Sequence, residues 1–304
     1  MSKENPIKSE NQPLVSVGMP AYNRPEGLKR TLECITGQTY KNLEIIVSDN
    51  CSPDPKIEAV VKEFQKQDNR IQYYRQAENF DMGYNFKFVL EKATGEYFMW
   101  AADDDEWEND YIEKCLIKLI NNKKMVLCYS EAILKNYKGQ SEFLWLSDME
   151  TVGLSKVEGV KKVLLKQHRN TEIYGLMRRD IINKYKFRNT YGGDHIVVLH
   201  LALSGEIGKT QPGLFISNGA ETSGSTSDNI VKVLQLNKLN LYFGFLYQMI
   251  NMIKLIFIYD YKINISQKIK IIFIIFIRFS KPPYSVAICS GFKRFFHDAI
   301  KGRV

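Results

Sequence analysis

Along the chain, short apolar runs alternate with longer stretches in which apolar residues return every third or fourth position. Residues 14–19 (Leu-Val-Ser-Val-Gly-Met) predict a strand, and Leu28, Leu32 and Ile35 behind it keep helical spacing. Between them lies Pro20-Ala21-Tyr22-Asn23-Arg24-Pro25, where Asn23 can cap the helix and Pro25 suits its first turn. Residues 43–48 predict a second strand, ending in Asp49-Asn50-Cys51-Ser52. Ser52 and Pro53 open a helix carrying Ile57, Val60, Val61 and Phe64. Residues 71–75 predict a third strand, followed by Glu78-Asn79-Phe80-Asp81-Met82-Gly83 and a helix with Phe86, Val89, Leu90 and Ala93. Residues 98–101 predict a fourth, buried on both faces, and Ile112, Cys115, Leu116 and Leu119 mark the next helix.

This repeated alternation predicts an α/β fold with a mostly parallel sheet. Right-handed crossovers bring the loops after the strands to one edge, where open α/β sheets bind ligands. Tyr22, Asn23, Asp49, Asp103, Asp104 and Asp105 should therefore converge on one crevice. Beyond residue 122 the pattern loosens. Residues 125–130 read as a strand and 131–146 as extended segments with a turn at 137–140. Residues 156–166 read as a helix, 171–177 as a strand and 178–187 as a short helix. Thr190-Tyr191-Gly192-Gly193 is a turn before a helix that starts at Asp194, residues 214–217 are a last strand, and 218–228 read as a flexible segment.

The fourth strand carries the candidate chemistry, because it runs straight into Asp103, Asp104 and Asp105. Adjacent carboxylates repel one another, and a hard divalent cation, Mg²⁺ or Mn²⁺, that also holds a substrate phosphate would relieve them. A solvated acidic turn capping the next helix is the simpler alternative. No Gly-x-Gly-x-x-Gly follows the first strand and no P-loop is present.

With 44% hydrophobic and 25% charged residues, the composition is that of a globular protein. Five scattered cysteines without zinc-ligand spacing suggest reduced thiols and a cytoplasmic setting. Residues 1–13 are polar and hold no apolar signal core, so no secretory signal is expected, and residues 1–12 read as a disordered lead-in. Residues 231–304 hold twelve Lys or Arg against Asp260 and Asp298, a net of +10. The whole chain carries +8, which leaves −2 for residues 1–230. The basic character belongs to the tail, and nucleic acid is not an expected partner.

In that tail, residues 241–261 are almost wholly apolar, and residues 271–277 are flanked by Lys268, Lys270, Arg278 and Lys281. Beyond Pro282-Pro283, aromatic residues alternate with basic ones. Such faces suit an interfacial helix on the cytoplasmic membrane surface. They also suit a helical hairpin packed on the catalytic domain or on a second subunit, a route to a homo-oligomer. Lys254 argues against a spanning helix.

Several motifs in order resemble glycosyltransferase family 2. They are the opening strand with Pro20-Ala21-Tyr22-Asn23, the stretch from Gln38-Thr39-Tyr40 to Ser48-Asp49-Asn50-Cys51-Ser52, Glu78-Asn79, Ala93-Thr94-Gly95-Glu96-Tyr97, and Asp103-Asp104-Asp105-Glu106-Trp107. The resemblance implies a GT-A-type Rossmann-like fold with a C-terminal helical extension. Residues 13–120 would bind the nucleotide-sugar donor, residues 121–230 would form the acceptor half of the same catalytic domain, and residues 231–304 would be a basic, apolar helical tail. It further implies a metal-dependent inverting transfer from a nucleoside-diphosphate sugar, a UDP-sugar in this reading. The acceptor would be a growing glycan, free or lipid-linked, of a bacterial surface polysaccharide.

Carried residue by residue, the resemblance assigns Pro20, Ala21, Tyr22 and Asn23 to the nucleoside, and Asp49 to the uracil ring. Asp104 becomes the direct Mn²⁺ or Mg²⁺ ligand, with Asp105 in support and Asp103 near the ribose or a metal-bound water. The first aspartate of the family's Asp-x-Asp is Ala102 here, a departure from the pattern. Lys87 replaces a frequent asparagine, and either reaches the diphosphate or stands as a solvated helix residue. Asp194 takes the place of the catalytic base, with a helix N-cap as its structural alternative. His195 either orients the acceptor or lies on the surface, while His168 and His200 read as structural. The loop after the last strand lacks the histidine of some relatives, and Glu221 is an open candidate for a metal contact. The alternatives are a nucleotidyltransferase, disfavoured by the Pro-Ala-Tyr-Asn loop, and a non-catalytic sugar-binding scaffold, favoured by Ala102.

Overall fold

A computed structural model describes residues 12–135, 142–166, 170–187, 189–218, 235–236 and 239–300. The first part alternates as its apolar pattern predicts: β1 (Val15–Ala21), α1 (Pro25–Thr36), β2 (Leu43–Asp49), α2 (Lys56–Gln65), β3 (Ile71–Arg75), α3 (Met82–Lys92) and β4 (Tyr97–Trp100). A two-residue strand, β5 (Glu106–Trp107), precedes α4 (Tyr111–Asn121) and β6 (Met125–Tyr129). Then come β7 (Ala132–Lys135), β8 (Glu142–Trp145), α5 (Lys156–Lys166), β9 (Leu176–Arg178), α6 (Arg179–Ile182) and α7 (Gly193–Ser204). β10 (Glu206–Lys209) and β11 (Phe215–Asn218) close the sheets, and α8 (Leu239–Ile258), α9 (Ile265–Ser280) and α10 (Tyr284–Ile300) form the tail.

Seven strands make the main sheet in the order β10-β6-β9-β4-β1-β2-β3, parallel except for β9. A smaller sheet, β5-β11-β7-β8, lies past the carboxyl ends of β4 and β6. Strand residues alternate between two buried clusters. Ile46, Phe98 and Trp100 belong to one, while Ile45, Val47, Tyr97 and Met99 belong to the other. Both faces being covered explains why these strands read as unbroken apolar runs. The tail completes the first cluster: Met252, Leu255 and Ile256 of α8 and Ile271, Ile274, Ile275 and Phe279 of α9 share it with Val163 and Leu199. All five cysteines are free thiols.

Several local expectations are corrected. Asn23 does not cap α1; it takes a left-handed φ of 55°, and Arg24 occupies the cap position without a side-chain bond. α2 starts at Lys56, beyond Ser52 and Pro53, because Ser52 is drawn into the turn after β2, where its hydroxyl accepts from the Asn23 N–H. Residues 171–177 are not one strand. Thr171–Tyr174 is a turn of 3₁₀ helix, and only Leu176–Arg178 pairs. Gly175 forces the change, since a side chain there would meet Leu127 and the Cys128 carbonyl within 2.7 Å. The helix expected over 178–187 shrinks to the four residues of α6. β5 and β10 carry too few apolar residues to be read from sequence. The turn at 137–140 and His168 lie outside the described residues.

Candidate active site

At the carboxyl edge of the sheet β1 and β4 separate, and the backbone shows why. Gly18 accepts from the Ala101 N–H at 2.9 Å. Two residues on, Pro20 has no N–H to continue that ladder. At Tyr22 the N–H is met instead by the Asp103 carboxylate, at 2.8 Å. Past β4 the chain therefore turns into the aspartates while β1 continues beside β2, with Pro20 opposite Ser48 and Ala21 opposite Asp49. The aspartate loop is pinned from α1, where Thr31 Oγ1 donates to the Ala102 carbonyl at 3.1 Å and the Asp105 carbonyl at 2.8 Å. Gly27 lets the loop approach, since a Cβ there would stand 2.4 Å from the Asp103 carbonyl oxygen. From the other side Asn218, at the end of β11, donates its N–H to Asp105 Oδ1 at 2.8 Å and its Nδ2 to the Asp104 carbonyl at 2.9 Å.

The three carboxylates differ in their surroundings. Asp103 and Asp105 are each 4% exposed, whereas the Asp104 side chain is 21% exposed. Arg24 Nη1 lies between two of them, 2.9 Å from Asp103 Oδ1 and 3.0 Å from Asp104 Oδ2. Burial pushes Asp103 up to about 6 against the pull of Arg24, and lifts Asp105 well above the carboxylate range, with the Asp104 charge adding to it. Asp104 is raised as well, by burial, with Arg24 and Arg30 opposing.

Asp49 is wholly buried beside this cluster. Its Oδ1 accepts from the Ser52 N–H at 2.9 Å, and its Oδ2 from the Tyr73 hydroxyl at 3.0 Å and Arg75 Nη1 at 2.5 Å. Asn50 ties this loop to the next one, donating to Asn79 Oδ1 at 2.9 Å and to the Phe80 carbonyl at 2.8 Å. Tyr22 is 41% exposed at the mouth of the crevice. Lys87 stands apart from these residues: on the surface of α3 its ammonium pairs with Glu91, 3.0 Å away.

Asp194 sits in the first turn of α7, after Gly192 at a φ of 64°. It is half-exposed, and its Oδ1 accepts from the His195 N–H at 2.9 Å and lies 3.1 Å from His195 Nδ1. Asn170 Nδ2 lies 2.6 Å from the same ring nitrogen. Burial opposes ionisation of Asp194, but the His195 charge and hydrogen bonds from His195 and Asn170 prevail and hold the carboxyl below its ordinary range. His200, further along α7, is a satisfied core histidine. Its Nδ1 is 2.7 Å from the Tyr261 hydroxyl and its Nε2 3.2 Å from the Ile181 carbonyl.

One side chain joins the two carboxylate groups. The Tyr174 phenol is raised well above its usual range by burial and then by Asp105, Asp104, Asp194 and Asp103 together. All four acids therefore share one electrostatic neighbourhood. Sequence reasoning missed Tyr174, Arg24, Asn170 and Asn218. Arg24 was the one that left a signal, as the only cation in the turn leading from β1 to α1.

As a metal centre the donor set is lean. Among the described residues no three His, Cys, Asp or Glu side chains converge on one point. Asp103 spends both oxygens on Tyr22 and Arg24, and Asp105 spends one on Asn218. Asp104, paired with Arg24 through Oδ2, is the most exposed of the three. One carboxylate suits a Mg²⁺-like ion brought in on substrate phosphates and does not suit an all-protein cage. Glu221 lies outside the described residues. A cavity of about 1250 Å³ opens at the opposite edge of the sheet, near Gly95, Lys124 and Arg179. None of the candidate residues described above lines it, and the strand-end crevice remains the candidate site.

Comparison with known proteins bears on the family and the fold. A family model described as Glycosyl transferase family 2 matches residues 16–186, more than half of the chain. The chain belongs to glycosyltransferase family 2. An uncharacterised glycosyltransferase of Methanocaldococcus jannaschii is 29% identical over 187 residues, 58% of this chain and 60% of that protein. A Campylobacter jejuni enzyme named GalNAc(5)-diNAcBac-PP-undecaprenol beta-1,3-glucosyltransferase is 28% identical over 186 residues, 60% of this chain and 57% of its own length. Both matches thus span less than two thirds of the relative. Among solved structures, Staphylococcus aureus TarS residues 1–349 with UDP-GlcNAc superposes with a TM-score of 0.67 at 13% identity, covering 92% of this chain and 79% of that one. A Pyrobaculum calidifontis mannosyltransferase with GDP-Man and Mn²⁺ gives 0.56 at 12% identity, covering 95% and 76%. At these identities the likeness concerns the fold, which in this family 2 glycosyltransferase is of the GT-A type.

Proposed function

We propose that this chain is an inverting, metal-dependent glycosyltransferase moving a sugar from a UDP-sugar to a hydroxyl of a growing glycan. The acceptor in this reading is a lipid-linked precursor of a bacterial surface polysaccharide. The observation that carries it is the meeting of Tyr22, Arg24 and the aspartates at the carboxyl edge of the sheet, where the Asp103 carboxylate accepts from the Tyr22 N–H and Arg24 lies between Asp103 and Asp104. Transfer needs charge compensation at the departing diphosphate and a base at the attacking hydroxyl. Asp104 would hold Mn²⁺ or Mg²⁺, which neutralises charge on the leaving oxygens. Asp103 fixes the Tyr22 backbone and Arg24, which shape the nucleoside side of the crevice. Asp49, opposite Ala21, would accept from the uracil ring once Arg75 or Tyr73 gives up its bond to Oδ2. Asp194 accepts the acceptor proton, with His195 and Asn170 orienting its carboxylate. A single in-line displacement inverts the sugar.

The test is a thermal-shift panel of nucleoside diphosphates with and without Mn²⁺. A ligand at about 100 times its Kd adds about 2.7 kcal/mol of stability. Stabilisation by UDP only with metal, lost in Asp104→Ala, is the expected result. Preference for another nucleoside diphosphate overturns the donor assignment, and no response to any of them overturns the catalytic reading.

A further inference from the structure

Helix α9 is apolar on opposite sides. Its inner side, Ile271, Ile274, Ile275 and Phe279, is buried against the catalytic domain. Its outer side carries Ile265 (67% exposed), Ile269 (61%), Phe273 (65%) and Phe276 (49%), spaced i, i+4, i+8 and i+11 and so aligned in one stripe. Phe257 and Ile258, at the neighbouring end of α8, extend the exposed patch. The rim is cationic. Lys268 stands 5.1 Å from the Phe257 ring, Lys270 lies exposed on the same helix, and Lys281 follows at its end. No acid occurs in α9. The two acids of the tail, Asp260 and Asp298, are bonded to the Lys262 N–H and the Tyr242 hydroxyl.

We propose that this stripe is a docking face for an anionic lipid bilayer surface, lying in the interface with its lysines at the headgroups. An apolar face rimmed by cations without acids matches the negative cytoplasmic leaflet. A second copy of the same face would oppose like charges. Packing argues against spanning. No single helix among the described residues is long and apolar enough to cross a membrane, and α9 with the helix after it reaches that length and composition only as a pair bent by 67°. To span, α9 would have to pull Ile271, Ile274 and Ile275 out of the core and strip Arg278 of its bonds to the Leu164 carbonyl and the Tyr284 hydroxyl. The inference is independent of the donor and acceptor assignments. It also has a geometric consequence, since α8 binds the turn before Asp194, with Asn251 Nδ2 donating to Thr190 Oγ1 at 2.8 Å. A docked tail therefore holds the candidate base at a defined position relative to the lipid.

The experiment is sedimentation of the full chain with vesicles of phosphatidylglycerol and phosphatidylcholine, against vesicles of phosphatidylcholine alone. Binding is expected only with the anionic lipid, weakened by salt at about 1 M. Ile269→Ser with Phe273→Ser should lower it by roughly tenfold or more per side chain, and Lys268→Gln with Lys270→Gln should lower it less. Both stripe positions are exposed, so the melting temperature should be unchanged, which separates lost docking from lost folding. Absence of binding, binding unaffected by the stripe variant, or retention on vesicles after an alkaline carbonate wash would each overturn the proposal. So would a dimer in light scattering that the stripe variant abolishes while vesicle binding persists.

Discussion

The two carboxylate groups of the crevice are built in opposite ways. The aspartates after β4 are crowded, two of them almost wholly buried, with Arg24 between Asp103 and Asp104, and their proton affinities are raised. Asp194 is half-exposed and held ionised by its own neighbour in sequence. Pairs of acids whose surroundings drive their proton affinities apart are how one site separates two chemical tasks. Here the crowded group is suited to gathering positive charge, and the half-exposed one is open to an acceptor hydroxyl.

The sharpest way to break this contrast is to exchange its consequences. Asp194→Asn should lower transfer about 10²- to 10⁴-fold while leaving the metal-dependent stabilisation by UDP intact. Asp104→Ala should abolish that stabilisation, as read by parallel transfer assays and melting curves. If Asp194→Asn also loses nucleotide binding, the division of labour fails.

Acid provides the next test. Burial brings His200 from 6.5 down to about 4. The unfolded chain therefore takes up a proton below pH 6.5 that the folded chain refuses until about pH 4. Stability from this group is fully present above 6.5 and falls by roughly 3 kcal/mol as pH drops to 4. Urea denaturation across that window should show the loss, and His200→Gln should flatten the slope there. His200 joins α7 to the Tyr261 hydroxyl at the tail, so this loss falls on the side of Asp194.

Removing Arg24 leaves Asp103 buried without its counter-charge. Because the guanidinium is partly exposed, Arg24→Gln should cost about 1–3 kcal/mol in denaturant melts, and added Mn²⁺ should restore part of it. A cost below the noise would mean that the aspartates stay protonated unaided. The smallest effect is expected at Lys87. Its exposed pair with Glu91 is worth about 0.3–0.5 kcal/mol, and Lys87→Ala should leave UDP stabilisation unchanged. A tenfold loss of nucleotide affinity would bring Lys87 to the diphosphate after all.

How much of this was legible in the sequence depends on the range of the forces involved. The strands β1 to β4 and helices α1 to α4 declared themselves through periodicity, because each buries an apolar face set by neighbours three, four or two positions away. The aspartate run and the Gly-Gly-Asp turn also stood out, since both break an apolar pattern at a strand or helix end. β10 and β5 did not, being short and poor in apolar residues, nor did the 3₁₀ turn before β9, where the Leu127 side chain and the Cys128 carbonyl crowd Gly175.

From sequence alone came the α/β class, the convergence of the loops at one sheet edge, the family resemblance and the basic, apolar tail. The class, the convergence and the tail follow from local spacing, chain chirality and composition, and the resemblance rests on its motifs in order. Only the tertiary structure decided that Arg24 lies between two aspartates, that Asp49 is held by Tyr73 and Arg75, and that Tyr174 senses all four acids. Only it decided that α9 is covered on one side and bare on the other. Burial and charge pairing are properties of residues brought together across scores of positions, and no local pattern encodes which partners meet.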